Sequence, residues 1–187
     1  AVSNALQAAG VIPVVKHFPG HGDTVVDSHM GLPVVDKSLE DLSLQELPPF
    51  RDLISGGETP SGRAEAVPAV MVAHILMTQL DPDLPASLSP AVVTDLLRGE
   101  LGFGGVVFTD DLTMGAITQN YGLGEAAVLA VEAGCDMLLV CHGRDSVDAA
   151  RSALLEAAAS GRISQARLDE SVRRILSLKL EYSVSGE

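Results

Sequence analysis

The chain contains no tryptophan, two tyrosines and four phenylalanines, so aromatics make up only 3% of its 187 residues. Any core must therefore be built from Ala, Val, Leu and Ile, and that aliphatic, glycine-rich bias suits buried parallel strands covered by helices. Basic residues are also scarce, with 12 Lys and Arg against 25 Asp and Glu and a formal net charge of −13. A phosphate backbone needs clustered cations, and seven of the 12 basic residues, from Arg144 onward, are spread among acids on helical faces. No nucleic-acid partner is expected. Two cysteines, Cys135 and Cys141, flank an apolar run that would hold them too far apart to bridge. Both are expected as small, buried, reduced residues. No stretch approaches the ~18–20 unbroken apolar residues of a membrane span, so none is expected. The sequence starts at Ala1 without an initiator Met and inside what reads as a helix, Ser3 to Ala9, so no signal peptide is expected at this position and a preceding segment is. The lack of a disulfide framework leans the expected compartment towards the cytoplasm, with an exported form left open.

With 47% hydrophobic and 20% charged residues, the chain reads as globular, with length for one sizeable core. Four short apolar runs each end in polar residues: Val11–Val15, Ala69–Ala73, Val106–Phe108 and Met137–Val140. They are continuous instead of alternating, as expected of strands buried on both faces. Helical patterns lie between them. Leu39–Ser55 is broken by Pro48-Pro49 into two helices. Ser89-Pro90 opens a helix to Leu101 that buries Val92, Val93, Leu96 and Leu97. Gly122–Ala133 ends at Gly134, a helix-stop glycine. Ser164–Leu180 is amphipathic, with Leu168, Val172, Ile175 and Leu176 on one face and Arg and Glu on the other. The polar stretch Gly56–Ala66 reads as a connection. Strands alternating with helices make an α/β fold of four parallel βα units.

In such folds the segments after the carboxyl ends of strands carry the chemistry. Lys16 is one of three lysines and follows an apolar run directly, either snorkelling outward or serving a site. It opens Lys16-His17-Phe18-Pro19-Gly20-His21-Gly22, followed by Asp27-Ser28-His29, a dense cluster of His and Asp broken by Pro and Gly. A metal site could use His17 and His21 with Asp27 or His29, but Pro19-Gly20 breaks the helix that His-x-x-x-His spacing needs. An acid–base pair is the better fit, with Asp27 fixing the tautomer of His29, although a solvated Asp and His satisfy the spacing equally. Ser28 lies in no nucleophile elbow. Asp110-Asp111 closes the third run. One of the two is expected to cap the next helix, and the other could act as nucleophile or metal ligand.

The first cluster resembles the signature of glycoside hydrolase family 3, and more narrowly its bacterial β-N-acetylglucosaminidase (β-hexosaminidase) branch. Phe108-Thr109-Asp110-Asp111-Leu112-Thr113-Met114 resembles that branch's nucleophile motif. Met71-Val72-Ala73-His74 and Leu168–Leu176 are similar to further parts of it, so the resemblance runs over nearly the whole chain. It implies Asp110 as the nucleophile of a retaining hydrolase and His29 with Asp27 as the acid–base dyad. Lys16 and His17 are implied as binders of sugar hydroxyls, and His74 as a residue of the pocket wall. His142 is read as structural or peripheral. The implied substrate is a saccharide with terminal non-reducing β-N-acetylglucosamine, from muropeptides or chitooligosaccharides. No metal and no cofactor are implied, and phosphorolysis stays open beside hydrolysis.

The family fold is a (β/α)₈ barrel of about 250 residues. Residues 1–187 would be its second half, strands five to eight. Partners would be the N-terminal half-barrel or a second copy of the chain. A half-barrel without its complement would be a non-catalytic fragment, and a metal-dependent hydrolase is the remaining alternative.

Overall fold

A computed structural model of the chain describes residues 2–21, 31–59 and 62–183. Helix α1 (Val2–Ala8) leads into strand β1 (Val14–Phe18), the short strand β2 (Val34–Val35) and helices α2 (Leu39–Gln45) and α3 (Pro48–Ser55). Strands β3 (Gly57–Thr59), β4 (Gly62–Ala64), β5 (Ala69–Val72) and β6 (Leu76–Met77) follow. A 3₁₀ turn (Ala86–Leu88) and a π-helix (Ala91–Glu100) precede β7 (Val106–Asp111), α4 (Gly115–Thr118) and α5 (Leu123–Ala133). The chain then forms β8 (Met137–Leu139), α6 (Arg144–Ser160) and α7 (Gln165–Glu181).

The four apolar runs form one parallel sheet in the order β1-β5-β7-β8. One face is sealed: Val70, Val72 and Val107 are fully buried with Leu88, Val92, Leu97 and Ala126. On the other face Val14, Phe108 and Met137 stay partly exposed beside Ala69, Val106 and Leu178. Among the described residues, β1 and β8 each have a strand on one side only. Both outer ladders slip by one residue near their carboxyl ends. Val15 and Phe18 face Val70 and Val72, while Phe108 and Asp111 face Met137 and Leu139. Such bulges bend a strand and re-aim its side chains. Here they fall at Lys16-His17 and at Thr109-Asp110.

Helix α7 crosses the amino ends of the strands. Ser164 caps it through the Arg167 N–H, the Arg167 guanidinium donates to the Cys135 carbonyl at 2.7 Å, and the Tyr182 hydroxyl donates to Gln7 Oε1 at 3.0 Å. Its inward face is Ser171, Arg174, Ile175 and Leu178, whereas Val172 and Leu176 are exposed. That differs from the apolar stripe expected from sequence. The reason is Asp136, whose carboxylate is wholly buried and takes Arg98 at 2.6 Å and Arg174 at 3.1 Å. Ser171 Oγ donates to it at 2.6 Å and the Val107 N–H at 3.0 Å. A buried carboxylate requires such partners, so polar residues turn inward and displace two apolar ones.

Other boundaries shift for local reasons. Pro13 has no N–H to give a ladder, so β1 begins at Val14. It then runs on through Lys16 and His17 because Phe18 is buried edge-on against Phe50, with ring centroids 5.2 Å apart. Strand β7 likewise continues through Asp110 and Asp111. The Gly56–Ala66 connection contains the antiparallel pair β3–β4. Cys135 is buried, and burial pushes its thiol up to about 12. Cys141 is exposed, contrary to expectation, because the strand ends before it. The helix-stop reading of Gly134 agrees with its φ of 118°.

Candidate active site

The carboxyl ends of β1, β5, β7 and β8 lie on one side of the sheet and bring His17, His74, Asp110, Asp111 and His142 together. His17 Nε2 stands 3.6 Å from Asp110 Oδ2. The His17 ring meets His21 edge-on, with centroids 5.7 Å apart. Burial pushes His17 below the usual imidazole range. The Asp110 charge opposes this, while Lys16 and His21 reinforce it. At neutral pH the ring is therefore uncharged and lies beyond hydrogen-bond reach of the carboxylate. Lys16 is exposed on β1.

The two acids of the doublet have different surroundings. Asp110 Oδ1 accepts the Asp111 N–H at 2.9 Å, and its side chain keeps 20% exposure. Asp111 accepts four bonds: Thr113 Oγ1 at 2.6 Å, the Thr113 N–H at 3.0 Å, the Cys141 N–H at 2.9 Å and His142 Nδ1 at 3.0 Å. Burial works to raise this carboxyl, but those bonds outweigh it and hold Asp111 below the ordinary carboxylate range. Asp111 thus closes the turn before α4 but does not cap that helix, contrary to the cap expected of one member of the pair. Met114 is the N-cap and no side chain bonds there, because Thr113, Cys141 and His142 already occupy the Asp111 carboxylate. Asp110 is the acid left available. Alternation along β7 explains the split. Asp111 shares a face with the buried Val107 and Thr109, and Asp110 with the partly exposed Phe108.

His74 is placed differently from the expectation of a pocket-wall residue. It is 1% exposed, with Nδ1 2.7 Å from Ser87 Oγ and Nε2 3.0 Å from the Asp111 carbonyl. A carbonyl only accepts, so Nε2 carries the proton and Nδ1 accepts from Ser87. Neither nitrogen remains for a sugar, and the residue supports the β7 backbone. His142 is 82% exposed, and its Nδ1–H points to Asp111, a contact with no signal in the spacing.

Asp27, Ser28 and His29 lie outside the described residues. The stems on either side are firmly seated. Gly20, at φ 140°, lies so close to the Glu46 side chain that a Cβ would come within 2.7 Å of Glu46 Cγ. Glu46 is itself held by Lys37 at 2.6 Å. On the far side the Leu76 N–H donates to the Pro33 carbonyl at 2.9 Å, and β2 pairs with β6. Sequence reading missed Glu46. The Gly20 of the Pro-Gly turn was the available sign that something passes close by.

Comparison with known proteins places this geometry in context. Residues 1–178 match the family model described as glycosyl hydrolase family 3 N-terminal domain. A β-hexosaminidase of Tolumonas auensis is 42% identical over 144 residues, covering 77% of this chain and 40% of the relative. The chain therefore spans well under half the length of the curated relatives it matches. A family 3 β-N-acetylglucosaminidase from Paenibacillus sp. superposes with a TM-score of 0.90 at 51% identity, covering 98% of this chain and 34% of that one. A β-glucoside phosphorylase superposes at 0.82 with 28% identity, covering 95% of this chain and 32% of that one.

Proposed function

The chain belongs to the glycosyl hydrolase family 3 N-terminal domain family, and from that premise we propose a retaining β-N-acetylhexosaminidase acting on terminal non-reducing β-N-acetylglucosamine. Asp110 Oδ2 attacks the anomeric carbon, forming a glycosyl ester as the bond to the leaving oxygen breaks. The imidazolium of His29 gives its proton to that oxygen, and Asp27 supports the charged ring. Water then attacks the same carbon, giving a proton back to neutral His29 while the ester bond returns its electrons to Asp110. Two displacements give net retention. Lys16 and His17 bind hydroxyls of the sugar.

The observation that carries this reading is the division of labour in the doublet. Asp111 is consumed by four internal bonds, and Asp110 faces a neutral imidazole across 3.6 Å. The roles of His29 and Asp27 rest on the motif alone. We further propose that β1, β5, β7 and β8 are strands five to eight of a (β/α)₈ barrel. A preceding half-barrel would supply the rest of the sugar pocket.

The test is hydrolysis of an aryl N-acetyl-β-glucosaminide by the full-length protein, with the first-formed anomer read by NMR. The β-anomer, released without phosphate and in the presence of a chelator, is expected. An α-anomer would reject the two-step route. Dependence on phosphate would make the protein a phosphorylase, and loss of activity to the chelator would favour a metal hydrolase.

A further inference from the structure

The residue next to the proposed nucleophile is held at its carbonyl and at both carboxylate oxygens. The Asp111 carbonyl accepts from His74, at the end of β5. One carboxylate oxygen takes the N–H groups of Thr113 and Cys141, and the other takes Thr113 Oγ1 and His142 Nδ1. The next N–H along, from Leu112, donates to the Leu139 carbonyl at 2.9 Å. Partners therefore come from three places: the end of β5, the turn before α4 and the segment after β8. The one Asp111 group not used to fix the residue is its own N–H, which points at Asp110 Oδ1 at 2.9 Å.

We infer that Asp111 is a positioning residue for the nucleophile, its pinned backbone N–H holding Asp110 Oδ1 so that Oδ2 is presented for attack. The inference rests on the reading of Asp110 as nucleophile. A carboxylate with one oxygen tethered loses rotation about its last torsion before substrate arrives, so less freedom is surrendered in reaching the attack geometry. The arrangement also explains why the doublet contains two acids. A carboxylate receives four donors with no proton of its own to place. An amide keeps one oxygen for the Thr113 and Cys141 N–H groups and turns its N–H₂ to Thr113 Oγ1 and His142 Nδ1, which must then reverse to acceptors, and it loses the charge. A purely structural staple would leave turnover per folded molecule unchanged. A positioning residue lowers kcat and the rate of ester formation with little change in KM.

The experiment uses the full-length protein, an aryl N-acetyl-β-glucosaminide and a fluorinated N-acetylglucosamine trapping reagent. Wild-type protein must first turn over and be labelled on Asp110. Failure there rejects the nucleophile reading itself, and this inference with it. Given that result, Asp111→Asn is expected to lower kcat and the trapping rate by about 100-fold, with KM within about threefold. Thr113→Val, which removes one hydroxyl and keeps the N–H, is expected to lower both by about 5- to 10-fold. If Asp111→Asn does not fold, Thr113→Val decides alone. An unchanged kcat in a folded variant, or a loss confined to KM, overturns the inference.

Discussion

His17 and His74 are both held below the usual imidazole range by burial, and their protonation has different consequences. For His74, the Asp111 carbonyl and the charges of Asp110 and Asp111 pull the other way without prevailing. In each case the unfolded chain takes up a proton at a higher pH than the folded one. Stability is therefore fully present above about pH 6.5 and is lost as pH falls from there towards the lowered folded values. Each group contributes a slope of at most about 1.4 kcal/mol per pH unit. Urea unfolding at pH 7.5, 6.5 and 5.5 should show a falling midpoint, and His74→Gln should flatten the fall. His74→Ala strands the Ser87 hydroxyl, leaves the Asp111 carbonyl with the Met114 N–H alone and opens a cavity, and should cost about 2–4 kcal/mol. At the site, Asp110→Asn should lower kcat/KM by about four orders of magnitude with an unchanged melting temperature. On the proposed mechanism a protonated His17 would be drawn to Asp110 Oδ2, 3.6 Å away, and would compete with attack, so kcat/KM should decline on the acid side, and His17→Asn should remove that competition from the pH profile.

Two elements carry the geometry of the site without entering it. The turn at Gly20 seats the first stem of the segment bearing Asp27 and His29 against Glu46, so Gly20→Ala meets both a clash and an unfavourable φ. A loss of about 1–2 kcal/mol is expected, and kcat should fall further than stability alone explains. Helix α7 is locked by Asp136, and Asp136→Ala leaves Arg98, Arg167 and Arg174 facing a buried gap. Denaturant unfolding should show a loss of about 3–5 kcal/mol. The elements themselves were legible in the chain: the four apolar runs became the sheet, Pro48-Pro49 split a helix and Gly134 ended one. What could not be read was pairing across distance. Nothing local to Ser171 or Arg174 says that both turn towards Asp136, some 35 residues away in the chain. The bulges that carry Lys16, His17 and Asp110 beyond the apolar runs arise from strand registers, which hydrophobic pattern does not encode. At the site, the doublet pointed to one acid capping the next helix, and the structure instead ties Asp111 to Thr113, Cys141 and His142, partners 2 to 31 residues away that no local pattern announces.

On the scale of the whole molecule, the described sheet is sealed on one face and open on the other. Leu155, Val172 and Leu176 are more than half exposed. Leu154, Leu155, Val172 and Ile175 line a groove of about 580 Å³ between α6 and α7, floored by Leu138 and Val140. A preceding half-barrel is the proposed cover. The isolated chain should therefore bind a hydrophobic dye, self-associate on size exclusion and give no turnover, whereas the full-length protein should be dye-silent and active. A compact, dye-silent monomer of the isolated chain would contradict the half-barrel. The central claim is narrower than the architecture: one carboxylate of the doublet attacks the sugar. Trapping the full-length protein with a fluorinated N-acetylglucosamine reagent and sequencing the labelled peptide by mass spectrometry tests it directly. The label should sit on Asp110; a label on Asp111, or none on an enzyme that still turns over, would contradict the account.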